Sequence, residues 1–212
     1  MTINPNWILK PCELIPKPER NKVPILALLR DYFSTPGLIL EIGSGTGQHA
    51  VYFAEQLPHL TWQPSDVAAN LAGIEQWREA AGLANLKPAL ALDVTRQPWP
   101  LAQADGVFSA NTAHIMSWAM VEACLAGVGA ILQPDGCFCL YGPFSYQGQF
   151  TSASNAQFDA SLRARDTVMG IRAFEDVDAL AQKAGMSLVA DHAMPANNQL
   201  LVWRKNRASK SV

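Results

Sequence analysis

The 212-residue chain has no run of about 18 apolar residues that would cross a bilayer. Its first twenty residues, MTINPNWILKPCELIPKPER, put prolines and charges where a secretory leader needs an apolar centre. A cytoplasmic protein without a membrane segment is therefore expected. An excess of one charge is missing too. Sixteen basic and 18 acidic residues give a formal net charge of −2 with no long run of either sign, which argues against a face that tracks nucleic acid. Cysteine is scarce: Cys12, Cys124, Cys137 and Cys139 contain no Cys-x-x-Cys pair, so neither a disulfide framework nor a metal site is expected. Cys137 and Cys139 sit two apart on one predicted strand face and read as small buried hydrophobes. There is no internal repeat and no low-complexity segment.

What is present is a hydrophobic content of 49%, ample for the core of one α/β domain spanning residues 1–212. Five prolines in residues 1–24 predict an extended arm, followed by the helix VPILALLRDYF with Pro24 in its first turn. From there strands and helices alternate. LILEI, LTWQPS, KPALALDV, ADGVFSAN and CFCLYG read as strands, with helices over 47–57, after Asp66 and over roughly 115–132. Strands separated by helices of that length make a parallel sheet covered on both faces. At the end, MSLVADHAM and QLLVWRK are separated only by PANN. Four residues cannot hold a crossover helix, so this last pair is antiparallel. The result is a doubly wound, Rossmann-like mixed sheet of seven strands.

The stretch ILEIGSGTGQHA places Gly43, Gly45 and Gly47 at alternate positions behind the first strand, with Glu41 two residues ahead. In such a sheet ligands bind beyond the carboxyl ends of the strands, and a turn without Cβ atoms lets the backbone approach them closely. A dinucleotide site favours G-x-G-x-x-G, since its pyrophosphate rests on a helix N-terminus. The spacing here is different, and a carboxylate repels a pyrophosphate while suiting a ligand of positive charge. Further along, Asp66 ends the second strand 23 residues after Gly43, where a carboxylate accepts hydrogen bonds from ribose hydroxyls. It is also placed to cap the following helix. Asp93 and the backbone of Val94 end the third strand and would meet an adenine edge, or Asp93 simply caps a turn before Thr95. Asn111 ends the fourth strand, facing the ligand's far end or the substrate.

The E-x-G-x-G-x-G stretch resembles the first motif of class I S-adenosylmethionine-dependent methyltransferases, whose cofactor carries a sulfonium, an α-amino group and no phosphate. Its Ser44 belongs to the same cofactor-binding turn. More specific segments are ERNKVPIL, HIMSW, LYGPF, SNAQFDASLRARD and MPANNQLLVWR, spread from Glu19 to Arg204. Together they resemble the methyltransferase-like 26 family. The resemblance implies the strand order 3-2-1-4-5-7-6, S-adenosylmethionine as cofactor, and Arg20 and Asn21 folding over the cofactor's carboxylate. It implies no substrate. The chain departs from the family at Met116-Ser117-Trp118, where a proline usually precedes the tryptophan, and at Val168-Met169; both touch the shape of the pocket and not the cofactor site.

On the substrate side, residues 142–154 show no regular pattern and read as a long loop over the ligand edge, followed by a helix to about 170. That helix carries Asn155, Asp159, Arg163 and Asp166 on one stripe, either a solvated face or the rim of a pocket for a polar acceptor. His114 is the candidate general base, with a pKa suited to neutral pH. Tyr141 and Tyr146 are further polar contacts. The expected function is methyl transfer to a small or medium polar molecule. A cofactor-binding partner protein without turnover is the alternative, and a nicotinamide-dependent oxidoreductase fits the glycine spacing less well.

Overall fold

The computed structural model describes residues 21–207, so Arg20, Cys12 and most of the proline-rich arm lie outside the described residues. In chain order the elements are α1 (Lys22–Tyr32), β1 (Gly37–Ile42), α2 (Gln48–Gln56), β2 (Leu60–Asp66), α3 (Leu71–Ala81), β3 (Leu90–Ala91), β4 (Ala104–Ala110), α4 (Trp118–Ile131) and β5 (Leu132–Gly142). Then follow β6 (Phe144–Tyr146), β7 (Gln149–Phe150), α5 (Ala153–Arg165), β8 (Arg172–Ala173), α6 (Phe174–Lys183), β9 (Met186–Met194) and β10 (Asn198–Lys205). Seven strands make one sheet in the order β3-β2-β1-β4-β5-β10-β9. Pairs from β3 through β5 are parallel, while β10 runs antiparallel to both β5 and β9. This is the doubly wound mixed sheet that the strand pattern predicts, with the order the family resemblance implies.

Each face of the sheet buries its own core. Ile39, Trp62, Phe108, Cys137, Cys139 and Val202 pack against Ile25 and Leu29 of α1 and Phe53 of α2. On the opposite face Leu40, Val107, Phe138 and Trp203 meet Val121, Leu125 and Val128 of α4 and Val177 of α6. Alternate residues of β5 thus serve opposite cores, and Cys137 and Cys139 do share a face as buried, unpaired thiols.

Two expectations need correction. The third strand shrinks to two residues because Pro88 has no N–H to give the ladder: β2 meets this segment at an isolated Trp62–Leu86 bridge and then only at Ser65–Leu90 and Asp66–Ala91. And residues 142–154 are not a featureless loop. They form a hairpin, β6–β7, whose two turn residues Gln147 and Gly148 both have positive φ, +49° and +74°. Such a turn matches the twist of its strands, and β8 adds on the other side to make a second, three-stranded sheet.

Candidate functional site at the carboxyl edge of the sheet

Gly43, Gly45 and Gly47 all adopt positive φ, +72°, +59° and +86°, which side chains resist. Two of them are also hemmed in. A Cβ on Gly43 would stand 2.5 Å from Thr112 Cγ2, and one on Gly47 would stand 3.1 Å from Ile74 Cα, whereas Gly45 has nothing within 4 Å. The middle glycine therefore borders open space, and the outer two are packed.

The hydrogen bonds of the turn discriminate between ligands. The N–H groups of Gly43 and Ser44 both donate to Ser65 O at 3.0 Å, and Gly47 N–H donates to Ser44 O at 2.9 Å. Gly45 N–H donates to Asp66 Oδ2 at 2.8 Å, and Ser65 N–H returns a bond to Ser44 Oγ at 3.2 Å. A phosphate cradle works by turning such N–H groups outward. Here those of Gly43, Ser44 and Gly45 are spent on β2 and that of Gly47 within the turn, so the bend itself offers close approach and not outward donors.

The acidic residues fall into distinct settings. Glu41 is only 2% exposed, beneath the turn, and accepts from Trp62 Nε1 at 3.0 Å. Burial pushes its pKa up to about 7, against the pull of the Trp62 and Ser44 hydrogen bonds. Asp66 lies in reach of the turn, with Oδ2 on Gly45 N–H and Oδ1 accepting from Val67 N–H at 2.7 Å and Asn70 Nδ2 at 2.9 Å. It caps no helix: the residue preceding α3 is Asn70, with a short 3-10 turn over Ala68–Asn70 between them. Its carboxylate instead joins the end of β2 to the glycine turn, with lone pairs left for a diol. Asp93 Oδ1 accepts from both Thr95 N–H at 3.0 Å and Thr95 Oγ1 at 2.7 Å. Those bonds, with nearby Arg96, hold its carboxyl below the usual range. Val94 is buried in the α4-side core.

Past β4 the chain turns at Asn111, whose φ is +59° and whose N–H donates to Tyr141 O at 2.8 Å. Thr112 then bonds Ser109 Oγ at 2.7 Å, and that serine donates to Ile42 O at 2.8 Å. This links the β4 turn to the glycine turn below. His114 is 7% exposed, edge-on to the Phe158 ring at 5.3 Å. Burial first, then the Arg172 charge, hold its pKa down to about 4, so the ring is neutral near pH 7. Tyr141 belongs to the other face, in the α1/α2 core. Its hydroxyl meets Asn21 and Asn198, and burial raises its pKa; no hydrogen bond joins it to His114. Asn21 is buried, with Oδ1 3.1 Å from His49 Nε2.

The α5 stripe divides: Arg163 and Asp166 are exposed, while Asn155 and Asp159 face inward. Asn155 Nδ2 donates to Thr151 Oγ1 at 2.8 Å and Asn197 O at 2.9 Å, and Asp159 accepts from Ile171 N–H and Arg163 Nε, each at 2.7 Å. Both residues are buried, and their polar atoms fasten the helix to neighbouring turns. Tyr146 donates its hydroxyl to Asp191 Oδ2 at 2.7 Å and stacks on Phe174. Sequence reasoning missed Ser65, Thr112 and Arg172. Arg172 is the most consequential: its guanidinium donates to Ala113 O at 3.1 Å, to Val168 O at 2.8 Å and to Met116 O, clamping the loop that carries His114.

The fold recurs in solved structures, methyltransferases among them. An O-methyltransferase family protein from Burkholderia thailandensis superposes with a TM-score of 0.78 at 13% identity, over 89% of this chain and 57% of that one. CalO1, a methyltransferase of calicheamicin biosynthesis in its S-adenosylhomocysteine-bound form, gives 0.71 at 16%, over 87% and 54%. The YcgJ protein of Bacillus subtilis gives 0.68 at 14%, over 86% and 98%. The chain thus spans little more than half the length of the first two. The fold is the one that S-adenosylmethionine-dependent methyltransferases share. Within it, residues 13–205 match the family described as protein of unknown function (DUF938), and the chain belongs to that family.

Proposed function

We propose that the protein transfers the methyl group of S-adenosylmethionine to a small or medium polar molecule. The observation that carries the reading is the glycine turn whose N–H groups are spent on Ser65 O and Asp66 Oδ2. Such a turn suits a ligand that carries ribose and positive charge but no phosphate. Asp66 would accept from the ribose hydroxyls, the open side of Gly45 would let the ligand lie against the backbone, and Asp93, Val94 and Asn111 would line its two ends. Glu41 answers the positive charge from below. Burial holds it near half-ionised at pH 7, and a neighbouring cation favours its carboxylate. The solved relative bound to S-adenosylhomocysteine and the O-methyltransferase relative support the same assignment. The finer placement in the methyltransferase-like 26 family rests on the segments around His114, Asn155 and Asn197.

The cofactor supplies an activated methyl on its sulfonium, so the chain's own contribution is positioning. A thermal-unfolding titration tests the reading. S-adenosylhomocysteine at about a hundredfold excess over its Kd stabilises the wild type by about 2.7 kcal/mol, and Asp66→Ala loses that gain. A wild-type melting temperature that does not move removes the assignment. Transfer of labelled methyl to a component of a cell extract then separates an enzyme from a binding protein.

A further inference from the structure

Resting on that reading, we propose that the methyl acceptor is a weakly acidic hydroxyl compound without positive charge, held in the crevice beside His114 and giving its proton to that imidazole. His114 follows β4 in the 112–117 loop, beside Gly142 at the end of β5 and Phe158 of α5. His114 is more than nine-tenths buried, yet no described residue hydrogen-bonds to either of its ring nitrogens. No buried side-chain nitrogen or oxygen among the described residues lacks a partner, so these nitrogens are not sealed off and keep some access from outside. Nδ1 lies over Gly142, where even a Cβ would come no nearer than 3.7 Å, and the strand end leaves that approach clear. A polar atom so nearly buried, accessible yet without a described protein partner, is placed to bond a ligand.

The surroundings select the ligand's charge. Arg172 stands beside the ring and spends its guanidinium on three main-chain carbonyls. Among the described residues it has no carboxylate partner, since Asp159 pairs with Arg163. Arg163 and Asp159 both act on it, Arg163 the more strongly, so the cluster keeps a net positive charge that repels an ammonium and accepts a neutral or anionic molecule. Burial first, and then the Arg172 charge, keep His114 neutral near pH 7 and a weak base. A weak base matches a phenol or enol better than an alkanol. In the transfer, the acceptor oxygen's lone pair forms the O–CH3 bond, the C–S pair stays on sulfur, and the hydroxyl proton passes to His114 and on to water. Main-chain bonds hold the ring in place: His114 O accepts Gly170 N–H at 2.9 Å.

The test needs no knowledge of the natural acceptor. The ring-proton NMR signals of His114, one of four histidines, are assigned by their contact with Phe158 and their loss in His114→Gln. The full-length protein, with S-adenosylhomocysteine present, is titrated with para-cresol, para-hydroxybenzoate and tyramine, which are neutral, anionic and cationic phenols. The first two are expected to shift the His114 signals saturably and tyramine to leave them in place. His114→Gln is expected to weaken para-cresol binding about tenfold, the worth of one such hydrogen bond. Tyramine binding as tightly as para-cresol, para-cresol binding without moving those signals, or neither phenol binding overturns the proposal. The three-probe comparison uses the wild type and so does not depend on the variant folding. S-adenosylhomocysteine affinity is read on the same samples. Its absence sinks the methyltransferase reading, while the phenol comparison judges the acceptor crevice separately.

Discussion

At the β1–β2 half of the carboxyl edge, the N–H groups of Gly43, Ser44, Gly45 and Gly47 and both oxygens of Asp66 are engaged within the protein. At the β4–β5 half, the ring nitrogens of His114 engage no described residue, while the loop around them is pinned by Arg172. One half is a preformed surface whose donors are spent within the protein. The other is a loop pinned around a ring whose nitrogens have no described protein partner. The proposed methyl transfer would use that division, its donor held by shape and charge and its acceptor giving up the proton.

The sharpest way to break the first half is Gly43→Ala. It forces a side chain into positive φ and drives Cβ to 2.5 Å from Thr112 Cγ2. Strain and overpacking together are expected to cost about 4 kcal/mol, read as a fall in the urea midpoint. Gly45→Ala has the same sign of φ and no neighbour within 4 Å, so roughly 1–2 kcal/mol is expected. Adding Thr112→Ser to Gly43→Ala removes the clashing methyl and should return the difference. Equal costs for the two glycines would mean that packing against the β4 turn plays no part.

The two halves also answer pH in opposite directions. His114 has its folded pKa held down, from 6.5 to about 4. Its contribution to stability is whole above pH about 6.5 and is lost as pH falls toward about 4. Glu41 has its folded pKa raised, from 4.5 to about 7, so its contribution is whole below pH about 4.5 and is lost as pH rises through about 7. Each is worth on the order of 3 kcal/mol. In urea unfolding between pH 4 and 7, Glu41→Gln should remove a fall in stability with rising pH and His114→Gln a rise over the same window. Both variants changing the slope in the same direction would refute the assignment of causes.

Arg172→Ala tests whether the halves are separable. It removes the clamp on Ala113 O, Met116 O and Val168 O at a cost of about 2 kcal/mol. Stabilisation by S-adenosylhomocysteine should survive, and para-cresol binding should be lost. Loss of both would mean that the 112–117 loop also carries the cofactor.

Legibility in the sequence follows the same line. The glycine turn, Glu41 and Asp66 announce themselves because glycine at special φ and a carboxylate at a strand end are local signals, and strand and helix periods carry the sheet. Ser65 and Thr112 are invisible because their partners, the glycine-turn N–H groups and Gly43, lie far away in the chain. Asn155 and Asp159 form a polar stripe whether they face water or fasten a helix inward; only tertiary contact decides. The β6–β7 hairpin is too short to leave a period, and Gln147-Gly148 is a weaker turn signal than Asn-Gly. Arg172 looks like any surface cation until the three carbonyls converge on it.

The smallest effect is expected at Tyr146, which the sequence places with the substrate. Its hydroxyl donates to Asp191 on β9, and burial, then that carboxylate, push the phenol's pKa well above its ordinary value. Its ring stacks on Phe174 with centroids 5.2 Å apart. Tyr146→Phe keeps the stack and removes one hydrogen bond, so about 1 kcal/mol of stability is expected to go, with para-cresol binding unchanged. Such a result leaves Tyr146 as a tie between the small sheet and the edge strand of the large one. If instead para-cresol binding falls by as much as in His114→Gln, the crevice extends across β6, and the acceptor spans from the imidazole to the Tyr146–Asp191 pair.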